Sequence, residues 1–116
     1  MTDKPDEAAT DAPNVDRVLN ALADPTRRQI LRLLAEQQPQ SASTLASHLP
    51  ISRQAVAQHL TALHQSNLVT SQRSGREVLF NVDPKALTLT ASWMTRLAET
   101  WSERLELLKH VAESGQ

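Results

Sequence analysis

The stretch from Ser41 to Asn67, SASTLASHLPISRQAVAQHLTALHQSN, leaves the chain little freedom. Ser41 is placed to cap a short helix whose Leu45 and Leu49 form one buried stripe. Pro50 and Ile51 leave room only for a tight turn before Ser52, which caps a second helix. In that helix Val56, Leu60 and Leu63 recur at i, i+4 and i+7, and Ile51 and Val56 occupy the two positions of a hydrophobic staple. Asn67 can take the left-handed conformation that ends a helix. Two helices with firm ends are thus held a few residues apart, and the rest of the fold must accommodate that pair.

The flanking segments supply further elements. MTDKPDEAATDAPN has no large apolar residue beyond the initiator and reads as a disordered acidic tail over 1–14. Val15, Val18, Leu19 and Leu22 then mark a first helix, capped by Asn14 and ending near Ala23. Asp24-Pro25 starts a second, with Ile30, Leu31 and Leu34 facing the core and Pro39 beyond its end. After Asn67 come two β-rich runs around Ser74-Gly75, in which Val78, Phe80 and Val82 alternate onto one face. Asp83-Pro84 repeats the helix-start signal, and a last helix over about Leu87 to Ala112 carries Trp93, Leu97, Trp101, Leu105, Leu108 and Ala112. The expectation is one domain over 15–112, mainly α with a small β-hairpin wing, and a flexible end at 113–116.

Composition narrows the chemistry. With no cysteine, the 116-residue chain lacks disulfides, thiolate metal sites and cysteine nucleophiles. Two glycines cannot build a phosphate-cradling loop, and His59 and His64 lie about 140° apart on a helix, which is not a metal pair. No catalytic residue, metal or cofactor is expected. No apolar run approaches the ~20 residues of a membrane span and no secretory h-region opens the chain, so a cytoplasmic location follows by default.

The formal net charge of −1 hides a division along the chain. Residues 1–16 set one base against five acids, whereas residues 27–76 carry six arginines (Arg27, Arg28, Arg32, Arg53, Arg73 and Arg76) against Glu36 alone. A basic middle segment suits a polyanion. Off the core stripe of the second helix of the pair lie Gln54, Ala55, Ala57, Gln58 and Thr61. Glutamine can pair with adenine, alanine and threonine methyls can meet thymine methyls, and small side chains let a helix approach base edges. Arg53 and the Ser52 hydroxyl at the helix start suit phosphates, as do Arg73 and Arg76 beside the hairpin tip. In element order this is a winged helix-turn-helix, and double-stranded DNA is the expected partner.

LADPTRRQILRLL, ISRQAVAQHLTALHQSNLV and RSGREVLFNVDP, in this order and spacing, resemble the ArsR/SmtB family of bacterial dimeric winged-helix transcriptional repressors over about residues 15–112. The resemblance implies a homodimer built from the first and last helices, here Val15, Val18, Leu19, Leu22, Trp93, Leu97, Trp101, Leu105 and Leu108, bound to a pseudo-palindromic operator. By position it implies DNA contacts from Ser52, Arg53, Gln54, Ala55, Gln58, His59, Arg73, Ser74 and Arg76. The helical projection instead sets His59 beside the core stripe, which leaves both a DNA contact and a structural role open for it. Metal-sensing members have cysteines where this chain reads SASTLASHL, and of the zinc-sensing pattern only His110 and Glu113 are present, with Leu97 and Glu99 at the upstream positions. The last helix is similar to a subgroup with paired tryptophans and a W-x-E-R-L run. The sequence names no small-molecule effector.

Overall fold

A computed structural model describes residues 7–115, with side chains from residue 14 onward. Five helices and three strands follow one another as α1 (Glu7–Leu22), α2 (Pro25–Glu36), β1 (Gln40–Ser41), α3 (Ala42–Ala46), α4 (Arg53–Gln65), β2 (Val69–Ser74), β3 (Glu77–Val82) and α5 (Pro84–Ser114).

Local chemistry sets the ends of these elements. The Asp24 carboxylate accepts from the N–H groups of Thr26 and Arg27, and Pro25 follows at the position where a missing N–H costs nothing. Ser41 accepts from Thr44 N–H, Ser52 from Ala55 N–H and Asp83 from Lys85 N–H, each at 3.1 Å. At the far end of α4, Asn67 adopts φ +62°, Leu68 N–H reaches Leu63 O and Asn67 N–H reaches His64 O. This paired closure is a Schellman motif, and its hydrophobic contact is supplied by the fully buried Leu63 and Leu68.

One core holds the helices to the sheet. Ile30 and Leu34 of α2, Leu45 of α3, and Val56, Leu60 and Leu63 of α4 are buried together with Leu49, Leu68, Val69, Val18 and Ala21. Leu31, expected in the core, is only partly buried against it, as is Ile51. Phe80 and Val82 of β3 pack on the same cluster, while Val78, nearer the hairpin tip, is 41% exposed. The sheet order is β1-β3-β2, antiparallel throughout, with Val69 opposite Val82 and Ser74 opposite Glu77. The turn falls on Gly75 and Arg76. Gly75 has φ +63° and Arg76 does not share the positive φ, the sign pattern of a type II′ hairpin, which places glycine first.

Several elements depart from expectation. The two-residue β1 pairs Gln40 with Phe80 and Ser41 with Leu79, adding a third strand to the hairpin. Its approach is fixed by a bond from Val82 N–H to the Gln38 side-chain oxygen and by the buried Gln40 amide donating to Leu33 O and Gln37 O. Helix α1 begins at Glu7, so residues 7–14 lie within a helix where a tail was expected, and Asn14 is internal to it and not its cap. The Glu-Ala-Ala start is rich in strong helix formers; residues 1–6 lie outside the described residues. Helix α5 starts at its Asp83-Pro84 signal, three residues before the expected Leu87, and continues through Ser114 beyond Ala112. Its 31 residues span roughly 46 Å.

Candidate nucleic-acid interface

The α3–turn–α4 unit and the β2–β3 wing bracket a groove. Arg53, Ala57 and Thr61 line it from α4, Ser41 to Ser43 from the start of α3, and Arg76 to Val78 with Phe80 from the wing, enclosing about 300 Å3. Arg53 and Arg76 therefore flank one concavity although 23 positions separate them. Both are exposed, as are Arg73 and Ser74.

Along α4 the apolar stripe of Val56, Leu60 and Leu63 is consumed by the core. That leaves Gln54, Ala57, Gln58 and Thr61 exposed and Ala55 half-buried, the arrangement the projection anticipates. The helix end is held by the Ser52 hydroxyl, whose oxygen accepts the Ala55 N–H while its own hydrogen stays available as a donor. Thr61 donates its hydroxyl hydrogen to Ala57 O, one turn back. A narrow polar face of amides and small groups, edged by guanidinium groups, can enter a major groove with its cations on the backbone.

His59 is positioned differently from its neighbours on α4. It is half-buried, and its Nδ1 lies 3.5 Å from Arg27 Nη1. Arg27 in turn donates from Nε to Ala21 O at 2.8 Å and from Nη2 to Asn20 O at 3.5 Å. Arg28 donates to Leu22 O at 2.6 Å. Arg27 and Arg28 thus cap the carboxyl end of α1, so two of the six arginines in the basic segment serve helix carbonyls. Sequence reasoning counted them as free charge because the carbonyls they meet lie six and seven residues upstream, across a chain reversal. The Arg27 N–H bond to its carboxylate holds Asp24 below the usual carboxylate range, and Thr26 N–H and the nearby charges of His59 and Arg27 act in the same direction.

The residues expected at a dimer interface divide into two groups. Val15 and Val18 are 2% and 0% exposed within the single chain, so their side chains have no surface left for a partner. Periodicity showed that they are apolar, but not that this chain's own core covers them. Leu22 and Trp93 are half-buried. Leu19, Leu97, Trp101, Leu105 and Leu108 are between 36% and 60% exposed, and every residue of α5 from Met94 onward is exposed. Among the described residues no three His, Cys, Asp or Glu side chains come together as a metal site would need, and none of the helices is long and apolar enough to cross a membrane.

Comparison with known proteins agrees with this geometry. Residues 22–72 match the model of a helix-turn-helix domain family, a span running from the end of α1 into β2. The HTH-type transcriptional regulator Rv2034 of Mycobacterium tuberculosis is 40% identical over 90 residues, covering 78% of this chain and 80% of that protein. The transcriptional repressor SdpR of Bacillus subtilis is 31% identical over 80 residues, covering 69% and 88%. Among solved structures, an ArsR-like transcriptional regulator from Rhodococcus sp. RHA1 superposes with a TM-score of 0.78 at 40% identity, over 87% of this chain and 94% of that one. The homodimeric winged helix-turn-helix DNA-binding domain of Mb0332 from Mycobacterium bovis gives 0.65 at 28% identity, over 85% and 92%. This chain belongs to the ArsR/SmtB family of winged helix-turn-helix transcriptional regulators, and it is a DNA-binding regulator and not an enzyme.

Proposed function

We propose that two copies of this chain bind a pseudo-palindromic operator in the cytoplasm and repress transcription by occupying it. The observation that carries this reading is the groove lined by both Arg53 and Arg76, with the exposed Gln54 and Gln58 next in sequence to its α4 lining residues Arg53 and Ala57. Arg53, Arg73, Arg76 and the Ser52 hydroxyl hold phosphates, Gln54 and Gln58 read base edges, and Ala55 and Ser74 allow close approach. His59 acts from behind the helix by holding Arg27, and is assigned a structural role.

The second copy docks on the apolar stripe of α5, with Leu19 and Leu22 of α1 beside it. A leucine stripe left open along a 31-residue helix is the kind of surface a two-fold partner buries. The repressor and homodimer readings are supported by SdpR and the Mb0332 domain. Absence of cysteine supports placement in a non-metal-sensing subgroup with paired tryptophans, Trp93 and Trp101.

The test is a titration of the purified protein against its own upstream promoter and an unrelated duplex of equal length, at two salt concentrations. Preferential dimeric binding that weakens steeply with salt is expected. Equal, feeble binding to both, followed by failure to select any site from random duplexes, would instead mark a protein-binding winged helix.

A further inference from the structure

A second concavity lies where the carboxyl ends of α1 and α4 meet the start of α2. It measures about 510 Å3 and is lined by Arg17, Asn20 and Ala21 of α1, Arg27 of α2, and Gln65 and Ser66 at the end of α4. We propose that this cleft binds a small soluble oxyanion, a carboxylate or a phosphate, and that Arg27 relays its occupancy to α4 through His59.

The lining matches that chemistry. Two guanidinium groups and two amides supply donors for compact oxyanions, while the Ser66 hydroxyl hydrogen is committed to Ala62 O, and the volume lies in the range of small-ligand sites. Helix carboxyl ends ordinarily repel anions, but here both are answered. Arg27 and Arg28 meet the carbonyls of Asn20, Ala21 and Leu22, and the Ser66, Asn67 and Leu68 N–H groups meet those of Ala62, His64 and Leu63. Arg27 commits one N–H each to Ala21 O, Asn20 O and the His59 contact, so two of its five remain for a ligand. An anion that draws those N–H groups toward Arg17 must rotate the same rigid fork that touches His59. Arg17 lies about 200° around α1 from Leu19, so the cleft opens away from the face offered to a second copy.

That such a ligand would regulate operator binding rests on the DNA reading above; the binding itself does not. The experiment follows amide and histidine side-chain resonances of the free full-length protein by NMR while sodium phosphate, then sodium citrate, is added against sodium chloride of equal ionic strength. Saturable shifts at Asn20, Gln65 and Ser66 together with the His59 imidazole are expected, with one anion preferred according to whether the natural ligand is a phosphate or a carboxylate. Arg17→Ala, at an exposed position, should weaken binding about tenfold, the scale of one charged hydrogen bond. Gln65→Glu, which sets a carboxylate in the cleft, should weaken it at least as much. Shifts that follow ionic strength alone, that gather at Arg53, Arg73 and Arg76, that leave His59 unmoved, or that persist unchanged in Arg17→Ala overturn the proposal. Because no DNA is present, failure here leaves the operator reading standing, and failure of the promoter titration leaves the cleft standing.

Discussion

Helices α4 and α5 carry the same kind of apolar stripe and differ in where it goes. In α4, Val56, Leu60 and Leu63 are at most 1% exposed, so the helix is satisfied within its own chain and its polar face is free for another molecule. In α5 the stripe of Leu97, Trp101, Leu105 and Leu108 is 44–60% exposed, so the apolar face itself is what remains to be covered. Amphipathic periodicity is therefore half a statement: it identifies the face that seeks cover and leaves unstated whether the cover comes from the same chain.

The sharpest way to break this contrast is to place charge on the α5 stripe. In a two-fold dimer each position counts twice, and burying one leucine is worth roughly 1.5–3 kcal/mol. Leu105→Glu should therefore weaken self-association by on the order of 3–6 kcal/mol, a hundredfold or more, measured by sedimentation equilibrium. An unchanged dimer constant would remove this part of α5 from the interface. The matching change in α4, Leu63→Ala, should cost about 2–5 kcal/mol of folding stability through the cavity it leaves. Urea unfolding separates the two: the Leu63→Ala loss should be the same at every protein concentration, whereas the effect of Leu105→Glu on the midpoint should shrink on dilution.

The exposed face of α4 gives the next contrast. Gln58→Ala should cost ~1–3 kcal/mol against the preferred base pair at one operator position and little elsewhere. Arg76→Ala should weaken binding to every duplex alike and lower the salt slope by about one. Competition binding on a panel of single-substitution operators decides between these patterns, and a uniform loss for Gln58→Ala would strip it of its base-reading role.

What was legible in the sequence was local chemistry. The caps at Asp24, Ser41, Ser52 and Asp83 and the turn at Asn67 each depend on atoms a few residues away, and each appears where its residue type places it. The stretches that mislead depend on distant partners. Strand β1 is two residues long, too short to alternate, and is made by Phe80 and Leu79 some 40 positions on. Val15 and Val18 read as interface residues until the chain's own folding buries them. Arg27 and Arg28 read as free charge until α1 turns its carbonyls toward them. Arg73 and Arg76 are legible as neighbours of the hairpin tip, but that Arg76 lines one groove with Arg53 requires the fold. The Arg17–Arg27 cleft leaves no sequence signal, because its lining is drawn from three helices.

The smallest effect concerns the cap that joins the two halves of the pattern. Asp24 starts α2 and lies near the His59–Arg27 contact, and its carboxyl is held below the ordinary carboxylate value chiefly by the Arg27 N–H. A depressed folded-state value means the unfolded chain takes up the proton first as pH falls. The contribution is thus complete above the unfolded value near 3.8 and is lost as pH drops through the lower folded value. An asparagine at this position would keep an acceptor oxygen for the Thr26 and Arg27 N–H groups without the charge. Asp24→Asn should therefore fold normally, sit slightly below the native chain in urea midpoint at pH 6, and show a gap that narrows as pH falls below 3.8. A gap that persists undiminished at pH 3 would show that the carboxylate's charge is not what Asp24 contributes, and that the cap acts through hydrogen-bond geometry alone.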